Sequence, residues 1–270
     1  MLKVYNKTVL GEKHRQNDTV CQDWSASLCG DGYAVVVVCD GHGSARFIRS
    51  ERGSQFAGEA AMECVGQFFA DLKLYPEIKN SMKHEYKQRL DRLIMTVITK
   101  WQDAVRADIK DSPLPDPLSD KESLIAYGTT LICFAVCDEF CFGLQIGDGR
   151  CVTFDENNVP SQPIPWNDKC FLNITTSMCD TNVFDNFMHF FSEEVPKAVF
   201  IGTDGIDDSF GDDTRLHEFY TTLLGMFENG CFEECVNEIN RFLPELSKRG
   251  SGDDVSIALV LRHEVNNDEV

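Results

Sequence analysis

The sequence predicts an α/β-layered (α+β) domain in which helices cover β-sheets. Three observations favour this fold class. Short apolar, β-branched segments are typical of buried strands, two long stretches of helical periodicity follow the first of them, and strands return in the second half with one more helix. This order differs from the strict β-α-β alternation of a doubly wound fold. Because no Pro/Gly/Ser-rich linker divides the 270 residues, we predict one domain over residues 1–270.

The first half of the chain predicts one strand followed by two helices. The segment Tyr33–Cys39 is apolar and largely β-branched, which indicates a strand covered on both faces. Residues 44–72 and 76–109 place small and apolar side chains at helical intervals. Three prolines within residues 113–117 end the helical region, because each removes a backbone donor and disfavours helix in the preceding residue.

The second half of the chain predicts mainly strands. Residues 129–137, 139–146 and 150–154 are apolar runs separated by turn residues, and we interpret them as an antiparallel meander. Residues 155–197 have an irregular pattern, which favours short strands and a surface flap. The remaining elements are a strand, a helix and a closing strand, at residues 198–201, 214–246 and 255–261.

The charge and the apolar runs restrict the partners of the protein. With 44 acidic against 25 basic side chains, the formal net charge is −19, so nucleic acid and anionic membranes are repelled over most of the surface. Residues 1–8 lack the apolar run of a secretory signal, and the longest apolar runs are too short to span a bilayer. We expect a cytoplasmic monomer.

The twelve cysteines are interpreted as reduced core residues. Cys39, Cys133 and Cys137 lie inside apolar runs, where a free thiol behaves as a small hydrophobic side chain. Disulfides are disfavoured without an export signal. A zinc site is less favoured because no Cys-x2-Cys pair is present.

Acidic residues recur beside the predicted strands. Three apolar runs end in Asp40-Gly41, Asp148-Gly149 and Asp204-Gly205, and the pair Asp253-Asp254 immediately precedes the closing strand. Each Asp-Gly pair alone is an ordinary turn. If the strands lie side by side, however, the carboxylates gather at one end of the sheets, and divalent cations would relieve their repulsion. Mg²⁺ or Mn²⁺ suits such oxygen ligands better than zinc.

His42 follows the first of these aspartates and lies between Gly41 and Gly43. A histidine beside a metal carboxylate can protonate a leaving oxygen near neutral pH. The alternative is a histidine that is merely hydrogen-bonded in a turn. The two glycines favour the first interpretation, because they let the backbone and a ligand approach closely.

Taken together, these motifs resemble those of the metal-dependent protein phosphatases, the type 2C serine/threonine phosphatases. The resemblance extends over about residues 11–261 and rests on five places in the family's order. They are residues 17–23, Asp40-Gly41-His42-Gly43, residues 128–130 with 147–149, residues 203–205 and residues 252–254. The resemblance implies a β-sandwich of two mainly antiparallel sheets flanked by helices, in four layers, α-β-β-α.

The resemblance also implies a binuclear site for Mn²⁺ or Mg²⁺. Asp40 would bridge two cations, and the Gly41 carbonyl would contribute to one of them. Asp204 and Asp253 would bind the second cation, while Asp148 with Asp204 would form a weaker third site. A water activated between the cations would attack phosphorus.

The implied reaction is the hydrolysis of phosphoserine and phosphothreonine in a phosphorylated protein, as in signalling. His42 would act as the general acid, giving a proton to the departing serine or threonine oxygen. Asp40 would be the second catalytic residue through the cations that it holds.

The chain departs from the family pattern at the ligands. Gln22-Asp23 stands where many members have glutamate and aspartate. Gln22 retains a carbonyl oxygen that can coordinate directly or through water, and Asp23 can hold a metal-bound water. Asp254 occupies a place where the family often has asparagine, so these two acids are expected to support the ligands from outside.

The family's phosphate-binding arginine would fall at Asp18, so this cation is missing. Arg15 and Arg46 are the candidates to replace it. A solvated surface arginine is an equally good interpretation of either. The phosphate-binding residue is therefore left open by the sequence.

Two other functions stay open. Gln22 and the missing arginine also fit a catalytically weak or silent relative that binds phosphoproteins or regulates a partner. The long irregular stretch before residue 197 fits a metal-dependent hydrolase of a small phosphorylated metabolite, because loops of that kind determine what reaches a site.

Overall fold

The computed structural model describes residues 1–115, 119–171 and 174–262. Its strands form two five-stranded sheets in which every neighbouring pair is antiparallel. The first sheet has the order β1 (Leu2–Val9), β10 (Val255–Arg262), β9 (Ala198–Gly202), β6 (Arg150–Phe154) and β7 (Pro160–Ser161). The second sheet has the order β2 (Trp24–Cys29), β3 (Tyr33–Cys39), β4 (Leu131–Cys137), β5 (Cys141–Ile146) and β8 (Met188–Ser192).

Helices cover the outer face of each sheet. α2 (Ser50–Leu74) and α3 (Pro76–Asp111) pack on the second sheet, and α7 (Asp213–Asn229) and α8 (Phe232–Arg249) pack on the first. The predicted four-layer α-β-β-α sandwich is therefore confirmed. The described residues also form short helices, which are α1 (Glu12–Gln16), α4 (Asp120–Ile125), α5 (Val183–Asn186) and α6 (Asp204–Asp207).

Strand periodicity builds the core in three layers. In β3, Val35 and Val37 contact the helical layer, whereas Val36 and Val38 contact the opposite sheet. The alternation follows from the two-residue repeat of a strand, in which successive side chains point to opposite faces. Because both faces are covered, such a strand is apolar throughout, as the sequence predicted. Cys39 belongs to the same buried core.

The predicted meander is wrong at its third strand. β4 and β5 pair, but β6 leaves their sheet and pairs with β9 and β7 in the other one. Gly147 makes the crossing with φ at +108°, and the Gln145 amide donates to the carbonyls of Gly147 and Gly149. Turn residues predict where the chain turns, but they do not indicate which sheet the next strand joins. The crossing places Asp148 between the two sheets.

The predicted helices need two corrections. The first begins at Ser50 and not at residue 44, so residues 44–49 form a loop, while the predicted helix over residues 76–109 is confirmed by α3. The predicted helix over residues 214–246 is two helices, since the chain breaks at Gly230 and Cys231. Of the three prolines predicted to end α3, the one at 117 lies outside the described residues.

The edge strands β1 and β2 were not predicted, because their polar residues interrupt the apolar pattern of a strand. Asn6 and Thr8 of β1 face Ser25 and Ser27 of β2 across the gap between the sheets. Their side chains hydrogen-bond to one another, which removes the apolar signal from both strands. None of the described helices combines the length and apolarity needed to span a membrane.

Candidate active site

The acidic turns meet in one cavity of about 410 Å³. Its walls come from the end of β3, the crossing between β5 and β6, the end of β9 and the turn before β10. All seven residues predicted from the sequence as metal ligands or general acid line it, and they are Gln22, Asp40, Gly41, His42, Asp148, Asp204 and Asp253. Elements that are far apart in the sequence therefore bring their oxygen atoms to one place.

Asp40 is fastened to the segment that precedes β4. Its backbone N–H donates to Thr130 Oγ1 (3.0 Å), and its carbonyl accepts from the Thr130 N–H (2.8 Å) and from Thr129 Oγ1 (2.8 Å). These bonds occupy the backbone polar groups and leave the carboxylate for the cavity. The next residue, Gly41, has to be a glycine, because a Cβ at this position would lie 2.5 Å from the Gln22 carbonyl oxygen.

The buried carboxyl groups repel one another. Burial raises the pKa of Asp40 well above its usual range, and the charges of Asp204 and Asp23 add to the effect. Burial also raises the pKa of Asp204 to about 7, with the charge of Asp148 as the next cause. Asp40 and Asp204 lie within hydrogen-bonding distance, so a proton or a cation must lie between them.

The donor atoms at the cavity fit a hard divalent cation. Five aspartates line the cavity, four of them predicted ligands, and Gly41 and Gln22 supply a carbonyl and an amide oxygen. Over the described parts of the chain, no three His, Cys, Asp or Glu side chains converge closely enough to form a complete ligand set. Mg²⁺ and Mn²⁺ tolerate such a partial set, because they keep several water ligands.

The Gln22 side chain is oriented by its amide nitrogen. Nε2 donates to Ser50 Oγ (2.7 Å) and to the His42 carbonyl (3.3 Å). The oxygen Oε1 accepts no hydrogen bond from the described residues. It is therefore the amide atom left to face a cation.

Asp23 and Asp254 lie behind the cavity and not on its wall. Asp254 accepts the backbone N–H groups of Gly11 and Gln22, both at 2.6 Å, which ties the N-terminal segment to the start of β10. Asp23 accepts from Thr203 Oγ1 at 2.8 Å, and burial raises its pKa well above the usual range. In these positions both residues brace ligand-bearing segments.

His42 is enclosed on several sides. Its backbone N–H donates to the Gly128 carbonyl (3.1 Å), its ring packs against Phe47, and Nε2 lies 2.8 Å from Ser177 Oγ. Burial and, to a lesser extent, the nearby Arg46 charge lower the pKa of His42 to about 4. The ring is therefore neutral at pH 7 unless a charged ligand enters the cavity.

The two candidate arginines differ in position. Arg46 lines the cavity, and its guanidinium lies 4.5 Å from the Phe47 ring centroid. It makes no ion pair with any residue that the structure describes. The Arg15 side chain is 60% exposed, lies 3.9 Å from Glu12 and does not line the cavity. Asp18, where the family's arginine would fall, is exposed at a turn with φ at 53°.

Several cavity residues were not predicted from the sequence. His14 lies on α1, with Nδ1 3.0 Å from Asp254, and Ser177 and Asp180 come from the base of the flap. None of the three stands in a motif beside an apolar run. Only the folding of α1 and of the flap over the strand ends brings them here.

The four-layer sandwich and the acidic cavity at its strand ends together define a protein of the phosphatase class that the sequence resembled. A family model described as protein phosphatase 2C matches residues 10–243. The chain belongs to this family.

Several solved structures share the fold. The serine/threonine phosphatase Stp1 from Staphylococcus aureus is 16% identical, with a TM-score of 0.63 and coverage of 98% of this chain and 96% of that one. The catalytic domain of the phosphatase PstP, solved with two manganese ions, is 16% identical, with a TM-score of 0.57 and coverage of 96% and 97%. RsbX, solved with magnesium, is 13% identical, with a TM-score of 0.52 and coverage of 96% and 94%. A comparison with curated protein sequences finds no match.

Proposed function

We propose that this chain is a serine/threonine protein phosphatase that uses Mn²⁺ or Mg²⁺. The observation that carries the proposal is the convergence of Asp40, Asp148, Asp204 and Asp253 with His42 in one cavity. The metals in the solved PstP and RsbX structures support the choice of cation.

The proposal assigns roles to the oxygens that line the cavity. Asp40 and the Gly41 carbonyl would hold one cation, and Asp40, Asp204 and Asp253 would hold the second. Asp148 with Asp204 would form a weaker third position, and Gln22 Oε1 would add a neutral ligand. Such cations would acidify a water and neutralise phosphate oxygens. The chain's own residues supply the remaining functions.

His42 and Arg46 act on the substrate. The His42 ring gives a proton to the departing serine or threonine oxygen, which otherwise leaves as a strongly basic alkoxide. Arg46 binds the phosphate, because a guanidinium is always charged and its planar fork matches phosphate oxygens. Its lack of an ion pair among the described residues leaves the group free for this contact.

A polypeptide is favoured over a small metabolite by the rim of the cavity. Ile174 lines the cavity and is exposed, and Phe171, which bridges to it in the flap, is exposed as well. In the loop that carries Arg46, Ile48 is also exposed. Apolar side chains around an acidic site give a peptide chain more surface to contact than a sugar phosphate would use.

The test of the proposed function is Asp204→Asn. We expect loss of Mn²⁺-dependent hydrolysis of a phosphothreonine peptide on the order of 100-fold, because losing a cation removes several kcal/mol of transition-state stabilisation. Asp212→Asn is the matched control, since Asp212 caps α7 outside the cavity and asparagine caps equally well. Equal activity of the two variants would overturn the proposal.

Two measurements on the unsubstituted protein distinguish the proposed function from a silent relative and from a metabolite phosphatase. A calorimetric titration of the unsubstituted protein with MnCl₂ should show binding that Asp204→Asn weakens. Absence of binding would favour a silent relative. Hydrolysis of sugar phosphates in preference to phosphopeptides would instead favour a metabolite phosphatase.

A further inference from the structure

Ser177, at the base of the flap, touches the ring of His42. Its side chain is buried, at 3% exposure, and its Oγ lies 2.8 Å from His42 Nε2. The proposed mechanism leaves this hydroxyl without a role. It is nevertheless the only side chain within the described residues that hydrogen-bonds to the ring nitrogens of His42.

The other contacts of Ser177 determine the direction of that bond. A serine hydroxyl has one hydrogen to give and two lone pairs to accept with. The N–H groups of Thr129 (3.2 Å) and Cys179 (3.4 Å) both donate to Oγ and occupy the lone pairs. The hydrogen is left for His42 Nε2 at 2.8 Å, for the Thr129 carbonyl at 3.2 Å or for Cys179 Sγ at 3.2 Å. The shorter distance favours Nε2.

A hydroxyl that donates to Nε2 requires that nitrogen to be an acceptor. The neutral ring then carries its hydrogen on Nδ1, because one ring nitrogen donates when the other accepts. Nδ1 forms no hydrogen bond with the described residues. It is the nitrogen available to a substrate oxygen.

We propose that Ser177 is a positioning residue that holds His42 in the Nδ1–H tautomer and aims this N–H at the leaving oxygen of the substrate. The inference rests on the proposed phosphatase function and adds a residue from the flap to it. In the step concerned, the bond between phosphorus and the seryl oxygen breaks while the bond to the attacking water oxygen forms. The proton released by the attacking water is taken up at Nε2, and the ring then passes its Nδ1 proton to the seryl oxygen, so no imidazolate anion forms. Proton exchange with solvent restores the Nδ1–H tautomer.

Ser177 is itself held on both sides. Its N–H donates to Asp180 Oδ2 (2.9 Å), which also accepts from the Asn186 side chain (2.7 Å). The N–H of Met178 donates to the Thr129 carbonyl (2.9 Å), and Thr129 Oγ1 donates to the Asp40 carbonyl (2.8 Å). The base of the flap and the Asp40 turn are therefore parts of one hydrogen-bonded unit. These bonds keep the Ser177 hydroxyl at hydrogen-bonding distance from the His42 ring.

The test compares two leaving groups in Ser177→Ala. Hydrolysis of a phosphoserine peptide needs a proton donor, whereas nitrophenolate leaves from p-nitrophenyl phosphate without one. We expect kcat on the peptide to fall by roughly 10-fold to 100-fold, a part of what a general acid contributes. On p-nitrophenyl phosphate we expect a change of less than about 3-fold. Ser177→Thr, which keeps the hydroxyl, should recover much of the peptide activity.

A double-mutant cycle separates positioning from a merely structural role. In a His42→Gln background, adding Ser177→Ala should cause no further loss on the peptide, since both changes remove the same function. Ser123→Ala, a change at a buried serine of α4, is the control and should leave both substrates unaffected. Equal losses on both substrates, or additive losses in the cycle, would overturn the inference.

Nitrogen NMR of the histidine ring gives a readout that does not depend on activity. In protein labelled with ¹⁵N-histidine, the resonances that disappear in His42→Gln identify this ring. We expect a protonated Nδ1 in the unsubstituted protein and a change of tautomer in Ser177→Ala. A ring protonated on Nε2 in the unsubstituted protein would contradict the inference. If that protein hydrolyses neither substrate with Mn²⁺, the proposed function itself fails.

Discussion

Arg46 is a permanent cation at the rim of an otherwise acidic cavity. It extends from the loop between His42 and α2, and stacking on Phe47 orients its guanidinium. An ion pair with a carboxylate would compete with phosphate, and Arg46 has none within the described residues. At the scale of single residues, the proposed function gives Arg46 the place of the family arginine that the chain lacks at Asp18.

Arg46→Ala should weaken use of the phosphorylated substrate. We expect kcat/KM for a phosphothreonine peptide to fall by about 10-fold to 100-fold, because a hydrogen bond to a charged group contributes roughly 1.5–3 kcal/mol. The measurement is steady-state kinetics at saturating Mn²⁺. Arg46→Lys should recover part of the loss, since lysine keeps the charge but not the planar fork.

Arg15→Ala is the matched control for this prediction. Arg15 carries the same charge in the same acidic protein, but its exposed side chain lies outside the cavity. We expect its kcat/KM to stay within about 2-fold of the unsubstituted protein, as for an exposed side chain outside the cavity. A larger effect at Arg15 than at Arg46 would reverse the assignment.

At the scale of elements, a buried carboxylate holds the active-site loop against the helical layer. Asp108 of α3 is 6% exposed and accepts from Arg49, Arg52 and the Tyr127 hydroxyl. Arg49 also donates to the carbonyl of Ser112 (2.6 Å) just beyond the end of α3. This network joins the start of α2 to the end of α3 and to the segment that carries Gly128.

Asp108→Ala should destabilise the fold by about 2–4 kcal/mol, because removing one partner leaves the two arginines without their shared carboxylate. The estimate lies below that for a fully buried pair, since Arg52 is partly exposed. Urea unfolding measures the loss. Asp111→Ala, at an exposed position of the same helix, should change stability by less than about 0.5 kcal/mol. Equal losses for the two variants would contradict a role for the network.

At the scale of the whole molecule, stability and cation binding are linked. The fold draws carboxylates from four distant segments into one cavity, and their repulsion is a cost that the unfolded chain does not bear. A cation that binds only the folded state offsets this cost and stabilises the molecule. We therefore expect bound cations to raise the stability of the folded state.

Asp204→Asn should be more stable than the unsubstituted protein at pH 8 without divalent cations. The pKa of Asp204 is raised to about 7 in the folded state, so the folded state binds this proton more tightly than the unfolded state does. Its contribution to stability is present at low pH and is lost as the pH rises from about 4 to about 7. The expected difference is a few kcal/mol, since one pKa unit corresponds to about 1.4 kcal/mol.

Thermal unfolding in EDTA at pH 5 and at pH 8 checks this prediction. The advantage of Asp204→Asn should shrink at pH 5, where the aspartate is protonated. Adding MnCl₂ at pH 8 should raise the Tm of the unsubstituted protein and reverse the order of the two proteins. A variant that is less stable than the original at pH 8 in EDTA would contradict the assumed repulsion.

Local sequence patterns sufficed for much of the fold. β3 and β4 are apolar on both faces, and α3 repeats its apolar positions for its whole length, so their type follows from periodicity alone. β1 and β2 could not be found this way, because their polar side chains satisfy one another across the two sheets. β6 could be found but not assigned to its sheet, since strand pairing is a long-range choice.

The sequence by itself determined the family of this protein and indicated most of the residues of the proposed site. Asp40, Asp204 and Asp253 stand beside apolar strands, and a motif of this kind is readable because the chemistry requires those residue types next to those elements. Tertiary structure alone selected Arg46 over Arg15 at the cavity and brought Ser177 to the ring of His42. These contacts join segments far apart in the chain, and their geometry depends on how the flap and loops pack, which no local pattern encodes.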